Sequence, residues 1–276
     1  TLGGTGVIRA NGGPGASYAG NSGGGGRVAL ILSEGTDWGG VQLESRSYVG
    51  RASNTGAGGT IYVERPGDTP GQGLLIVDYQ DVIPGVPSRT FTLQCGTGAS
   101  SRVYSEIILT NGAQYGLDTN DTLNIAATLV RGDPADLNDG IRLSGGALTI
   151  PAAFAYSNYT IFLDITNASF APASSLTLGT NAALRIDVPW TMNHPLTIEA
   201  GGWVDHSPNT SSELYKLNLT INGNLDVQPG GQFNVDGMGY SGGAGPGKPI
   251  KYDAGASYGG NGGRRTSDAS WCLSSS

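Results

Sequence analysis

The chain has few basic residues and no long hydrophobic run, and each deficit excludes a class of protein. Fifteen Lys and Arg residues stand against 22 Asp and Glu residues, which gives a net charge of −7. A nucleic-acid binder would need clustered basic side chains to neutralise phosphates. The longest apolar candidate, residues 73–77, is far shorter than the roughly 20 residues of a membrane-spanning helix. We therefore expect neither a nucleic-acid partner nor a membrane span.

Glycine is the residue that the chain has in excess, and it is unevenly placed. Of the 47 glycines, 22 lie in residues 1–30 and 237–263. Long helices are excluded, because glycine costs about 1 kcal/mol at each position in a helix interior, and collagen is excluded because no strict Gly-X-Y period exists. This distribution predicts three regions: a glycine-rich N-terminal β region (1–83), a β-solenoid middle (84–236) and a glycine-rich C-terminal segment (237–276).

The middle of the chain carries the pattern of short strands. Leu217, Leu219 and Ile221 alternate with polar residues, and the turn-forming pair Asn222-Gly223 follows them. A period of two indicates a strand with one buried face, and no segment shows the 3.6-residue period of a helix. The sequence therefore predicts an all-β protein.

A recurring Leu-Thr-(Ile/Leu) unit suggests how the strands are arranged. Copies begin at Leu148, Leu176, Leu196 and Leu219, at spacings of 28, 20 and 23 residues. A short strand that recurs at such intervals is typical of a solenoid, so we expect a parallel β-helix in which apolar residues stack in rows. An antiparallel β-sandwich is the alternative, and the hairpin-type Asn-Gly turns favour it.

Glycines in the N-terminal region run directly into strand-like sequences. Residues 23–26 are all glycine and precede Arg27 and the apolar run 28–32, and Gly58-Gly59 precedes residues 60–63. Glycine at a strand entrance indicates either a close backbone approach or a positive φ. Consecutive glycines also suit extended segments packed side by side.

Two near-identical heptads lie close to the two ends of the chain. Residues 15–21 and 255–261 match at six of seven positions with an offset of 240. The two ends resemble two parts of one module in reverse order. We expect either a chain cut from an array of such units or subunits that join head to tail, against the alternative of a duplicated low-complexity loop. The predicted self-assembly residues are Gly15, Ala16, Ser17, Tyr18, Gly255, Ala256, Ser257 and Tyr258.

The glycine-rich ends resemble a known group of proteins. The succession from Leu225 to Tyr240, the following glycine-rich run and residues 255–260 are similar to the glycine-rich repeats of very large bacterial surface proteins, and so are residues 24–32 and 58–63. The resemblance covers about 110 residues. It implies an exported, β-rich protein with a structural or adhesive role, and it supplies no catalytic residue.

Catalytic and metal-binding patterns are weak in this sequence. His194 and His206 are the only histidines, and neither has a partner at metal-ligand spacing. The loop Arg131–Gly140, with Asp133, Asp136 and Asp139, offers hard oxygens suited to calcium without matching the EF-hand spacing. The same carboxylates, and the pair Asp78 and Asp81, are the candidates for a polysaccharide-processing enzyme. We predict no catalytic residue, no metal site and no cofactor, with calcium at this loop as the alternative.

Two further kinds of covalent modification are predicted. Cys95 and Cys272 are the only cysteines, and they are candidates for a disulfide bond. Asn-X-Ser/Thr triplets are glycan acceptors in an exported protein, and the candidates are Asn120, Asn158, Asn167, Asn209 and Asn218.

The chain begins Thr1-Leu2 without the pattern of a signal peptide, so we expect a processed chain or a piece of a longer one.

Together these patterns predict a non-enzymatic structural protein, extracellular or on the cell surface. It would be a subunit or repeat of a fibre or surface layer that assembles head to tail with copies of itself. The alternatives are a polysaccharide-processing β-helix enzyme, either a lyase or a glycosidase, and a glycan-binding adhesin module.

Overall fold

The computed structural model describes residues 2–14, 23–48, 56–79, 92–93, 100–134, 138–165, 168–241 and 243–248. These residues form strands and no helix, so the all-β prediction is confirmed. The strands are β1 Val7–Arg9, β2 Arg27–Ile31, β3 Gln42–Glu44, β4 Thr60–Glu64, β5 Leu74–Asp78, β6 Thr92–Leu93, β7 Ser100–Arg102, β8 Glu106–Thr110, β9 Gln114–Asp118, β10 Asp121–Asn124, β11 Leu129–Arg131, β12 Gly140–Ser144, β13 Ala147–Thr149, β14 Ala153–Tyr156, β15 Thr160–Leu163, β16 Ser175–Leu178, β17 Ala183–Ile186, β18 Trp190–Met192, β19 Leu196–Ile198, β20 Trp203–Asp205, β21 Leu219–Ile221, β22 Leu225–Val227 and β23 Gln232–Phe233.

The strands form several mostly parallel sheets. The longest has seven strands in the order β6-β9-β12-β15-β17-β20-β23, and it runs through the whole middle of the chain. A five-stranded sheet (β2-β4-β5-β8-β11), a four-stranded sheet (β14-β16-β19-β22) and a three-stranded sheet (β7-β10-β13) lie beside it, with the two-stranded sheets β1-β3 and β18-β21. Among the strand pairs of the described residues, the antiparallel pairing that a sandwich requires occurs only between β4 and β5, and a single isolated antiparallel bridge joins Asp118 and Gly145.

Consecutive strands from β5 to β13 pass from one sheet to the next in a repeating order. β8, β9 and β10 belong to the five-, seven- and three-stranded sheets, and β11, β12 and β13 return to the same three sheets in the same order. Parallel partners are 20 residues apart where Gly140 faces Thr160 and 35 apart where Val7 faces Gln42. Long crossovers between neighbouring strands are what parallel pairing demands.

The Leu-Thr-(Ile/Leu) units only partly stack on each other. Leu176 and Leu196 are direct partners, as the repeat predicts. The unit at Leu219, however, pairs with Trp190 in β18, and Leu225 takes the place beside Leu196. Residues 206–218 form a long connection between β20 and β21. The Leu-Thr-Ile copy at Leu219 therefore falls in the two-stranded sheet and not in the four-stranded sheet of Leu176 and Leu196.

Inward-facing side chains of the seven-stranded sheet form two buried rows. One row runs through Tyr115, Ile141, Ile161, Leu184 and Val204, and the other through Leu117, Leu143, Leu163 and Ile186. Each of these residues is at most 2% exposed. They belong to the main hydrophobic cluster, which extends from Leu75 to Val204 and supplies most of the apolar burial that stabilises a fold.

The outward face of the same sheet carries a row of charged residues around one phenylalanine. Phe162 lies between Arg142 and Arg185, whose guanidinium carbons are 4.4 and 5.5 Å from the ring centre. Arg185 makes a bidentate bond to Asp205 at 2.8 and 2.6 Å. Burial would lower the pKa of Arg185, but the bonds to Asp205 and the nearby carboxylates outweigh burial and raise it. The guanidinium of Arg185 is therefore held in its charged form.

Three glycine-rich stretches of the N-terminal region pack backbone against backbone with a fourth stretch that has no glycine. The glycine-rich stretches are residues 10–14, 23–26 and 56–59, and together with residues 45–48 they are here called the glycine segments. They are joined by bonds such as Gly12 N to Arg46 O (2.9 Å) and Gly25 N to Ala57 O (2.9 Å). A β-carbon on Gly25 would overlap Ser45 O and Gly59 N. Neither Gly25 nor Gly59 has a positive φ. The predicted close approach is confirmed, and it is the reason for glycine at these positions.

The predicted N-terminal region is continuous with the predicted middle. β5 pairs with β8 over Leu74 to Asp78, so the five-stranded sheet contains strands of both regions. On its other face this sheet covers a smaller cluster around Val28, Ile61, Val63 and Leu74.

Candidate assembly surface

The last three strands of the described chain are all outermost strands. β21, β22 and β23 each pair with one neighbour only, and all three lie within residues 219–233. The apolar residues of this stretch continue the buried rows: Leu225 follows Leu196, Val227 follows Ile198, and Phe233 follows Val204. The stretch is therefore the end of the stacked strands.

Exposure changes abruptly along these rows. Leu196, Ile198 and Val204 are fully buried, whereas Leu225 is 48% exposed, Val227 43% and Phe233 39%. Val235, two residues beyond Phe233, is 44% exposed. These four residues, Leu225, Val227, Phe233 and Val235, are called the end surface. A group of exposed apolar side chains that continues a core is typical of a contact site.

In the part of the chain that the structure describes, the backbone of β22 is also open on one side. Asn224 O accepts a bond from Leu196 N, and Gln228 N donates to Ile198 O, both at 2.9 Å. Because alternate residues of a parallel strand direct their backbone groups to opposite sides, Leu225 and Val227 direct theirs away from β19. An outermost strand of this kind is a template for pairing with another chain.

The end surface is acidic at its margins. Residues 219–241 contain Asp226 and Asp236 and no Lys, Arg or His. Both carboxylate residues are exposed. A partner that covers the apolar residues is therefore favoured if it carries positive charge at its rim.

The self-assembly residues predicted from the heptads lie outside the described residues. This holds for Gly15, Ala16, Ser17 and Tyr18 as well as Gly255, Ala256, Ser257 and Tyr258. The disulfide candidates Cys95 and Cys272 also lie outside the described part of the chain.

The glycan acceptor candidates differ in their surroundings. Asn120 and Asn218 are exposed, Asn158 is half-buried and Asn167 lies outside the described residues. Asn209 is buried, and its Nδ2 donates to Tyr215 O (2.8 Å) and Met238 O (3.3 Å). A glycan on Asn209 would have to replace at least one of these bonds, whereas one on Asn120 or Asn218 would extend from the surface.

The carboxylates of the candidate calcium loop serve local backbone bonds. Asp139 is fully buried and accepts bonds from Ala113 N and Asp133 N, each at 2.7 Å. Asp136 lies outside the described residues. No group of three His, Cys, Asp or Glu side chains in the described part of the chain is arranged to hold a metal ion.

Near His206, the Asp205 carboxylate binds Arg185, and His206 Nδ1 lies 2.8 Å from Ser207 O.

A surface groove lies where the five-stranded sheet ends and the four-stranded sheet begins. β11 and β14 are the adjacent end strands of these sheets and do not pair. The groove between them encloses about 640 Å³, and its lining includes Arg131, Ser157, Asn158, Thr177 and Glu199. These side chains supply hydroxyl, amide and charged groups along an open surface.

Sequence reasoning did not identify the end surface. It assigned the joint to the two heptads, because those copies are the most specific repeat in the chain. The signal for the end surface was the pair of alternating apolar runs at 225–227 and 233–235, which precede glycine-rich sequence with no further strand pattern. Only the pairing of β22 with β19 shows that these residues occupy core rows.

Comparison of the chain with protein-family models, curated proteins and solved structures gives no match. Among the described residues, no helix is long and apolar enough to span a membrane.

Proposed function

We propose that this chain is a parallel β-helix that acts as a structural unit of an extracellular fibre or surface layer, joined head to tail with copies of itself. The observation that carries the proposal is the end surface, where three core rows stop with their last side chains exposed. In a repeat array, the following unit of the same chain would make the same contact. The glycine-rich composition, the acidic net charge and the resemblance to bacterial surface repeats support an exported location.

The β-helix is supported by the order of the strands. Strands β5 to β13 visit three sheets in turn, all but one of the strand pairs are parallel, and apolar residues stack in rows. A solenoid of this kind has two ends with open strand edges, and contact between unlike ends gives a filament when the geometry does not close a ring.

Sedimentation velocity over a range of protein concentrations, with negative-stain microscopy, tests the assembly. We expect wild-type protein to form filaments that lengthen with concentration, and Leu225→Asn to shift the population toward monomer. Leu214→Asn is the matched control, since Leu214 is 64% exposed and lies outside the strands. Monomeric wild-type protein at high concentration contradicts the proposal, as does an equal effect of both variants.

A glycan-binding module is a second candidate, favoured by the groove between β11 and β14. Polar groups that converge in a shallow groove suit hydroxyl-rich ligands. Binding on a glycan array that Glu199→Gln weakens, without cleavage of the bound glycan, would support this role. An array without binding would contradict it.

A further inference from the structure

We infer that the end surface docks onto the exposed face of β2 in the next copy, which carries Arg27, Ala29 and Ile31. Arg27 of that copy would face the acidic margin of the end surface. This inference rests on the proposed head-to-tail assembly and names the surface that receives the end surface.

β2 is the outermost strand at one end of the five-stranded sheet, and β11 lies at the opposite end. Its residues alternate: Val28 is buried in the smaller cluster, whereas Arg27, Ala29 and Ile31 are exposed on the opposite face. Ile31 is 74% exposed, more than any other large hydrophobic residue of the described chain. An isoleucine in a strand with one such open face indicates a covered position in the assembled protein.

This open face continues the main core. Ala29 pairs with Tyr62, Tyr62 with Leu75, and Leu75 with Ile107, which is fully buried. The row therefore leads from the centre of the main cluster to the exposed face of β2. A cavity of about 300 Å³ lies along it, lined by residues that include Ala29, Tyr62, Leu75 and Tyr115.

The end surface and β2 thus terminate the same hydrophobic cluster at its two ends. Leu225 and Val227 extend the rows of Leu196 and Ile198, and Ala29 extends the row of Ile107. Contact between the two ends would bury apolar surface on both sides and make the core continuous from one unit to the next.

Charge complements this apolar match. The end surface is bordered by Asp226 and Asp236, whereas Arg27 and Arg102 line the cavity beside β2. Opposite charges at the rim of an apolar contact favour the head-to-tail orientation, and two end surfaces brought together would repel each other.

Charge reversal tests the pairing. Arg27→Glu should raise the concentration at which filaments appear by about tenfold, which corresponds to about 1.4 kcal/mol per contact. Combining Arg27→Glu with Asp226→Arg and Asp236→Arg should restore assembly. Lys216→Glu, at an exposed position outside the strands, makes the same change in net charge as Arg27→Glu and should leave assembly intact.

Cysteine cross-linking distinguishes this inference from the assembly itself. In a background with Cys95→Ser and Cys272→Ser, a variant with Ile31→Cys is mixed with one carrying Val227→Cys and oxidised mildly. We expect a mixed disulfide dimer, and much less of it when Leu214→Cys replaces Val227→Cys. If filaments form but the two mixtures cross-link equally, the docking on β2 is wrong and the assembly stands. If no filaments form, the proposed function fails as well.

Discussion

The middle of the chain and the glycine segments both hold backbone beside backbone, but by opposite means. In the middle, strands such as β15 and β17 bury side chains, for example Ile161 and Leu184, in rows that are fully covered. The glycine segments approach each other so closely that no side chain fits between Gly25 and Ser45. The middle therefore depends on side chains that are present, and the glycine segments depend on side chains that are absent. Removing atoms from a buried side chain of the middle should therefore destabilise the protein. Adding atoms to a glycine segment should destabilise it too.

The largest effect is expected from removing a buried side chain of the middle. Leu196→Ala should lower the free energy of unfolding by about 3 to 5 kcal/mol, because it deletes apolar contacts and leaves a cavity. Leu225→Ala, at the next position of the same row, should cost under about 1 kcal/mol in the monomer, because Leu225 is already 48% exposed. Urea unfolding of both variants at a concentration where the protein is monomeric gives the two values. Equal losses would show that the row does not end at β22.

That contrast also shows what the sequence can predict. Alternation at residues 217–221 and 225–227 indicates strands, and recurrence indicates their stacking, because both are local patterns of apolar spacing. The choice of partner strand, however, does not depend on local sequence. Residues 206–218 displace the Leu219 unit from the row of Leu196, and the spacing of the apolar residues does not predict this displacement. The end surface depends on that partner, so it could not be found from alternation alone.

The glycine segments were easier to predict than the joint. Runs of glycine before Arg27 and Thr60 have few physical uses, and close backbone approach is one of them. The heptads, by contrast, show only that two segments are alike. Likeness does not say what either copy contacts, whereas the exposed rows at β2 and β22 have a physical reason to be covered.

A smaller effect is expected from breaking an ion pair of the middle. Asp205→Asn should cost about 3 kcal/mol, because Asp205 is 3% exposed and its loss leaves the guanidinium of Arg185 partly buried without its counter-charge. Arg9→Gln is the control in the N-terminal region, where Arg9 lies 3.4 Å from Glu44 and is 61% exposed. Its cost should stay below about 1 kcal/mol. Unfolding in urea at neutral pH measures both. A cost of Asp205→Asn as small as that of Arg9→Gln would show that the outward row of the seven-stranded sheet does not contribute to stability.

The smallest effect tests the glycine segments by adding one methyl group. At Gly59 a β-carbon would overlap Gly26 O and Ser45 Oγ, so Gly59→Ala should force the segments apart at a cost of about 1 to 3 kcal/mol. Gly6→Ala is the matched control: nothing lies within 4 Å of a β-carbon there, and the φ of Gly6 is not positive. Alanine at Gly6 should be neutral or slightly stabilising, because it reduces the freedom of the unfolded chain. Urea unfolding compares the two, and hydrogen exchange of the Gly25 and Gly59 amides locates the change. If Gly59→Ala left both the stability and the exchange unaltered, close backbone packing could not be the reason for glycine in these segments.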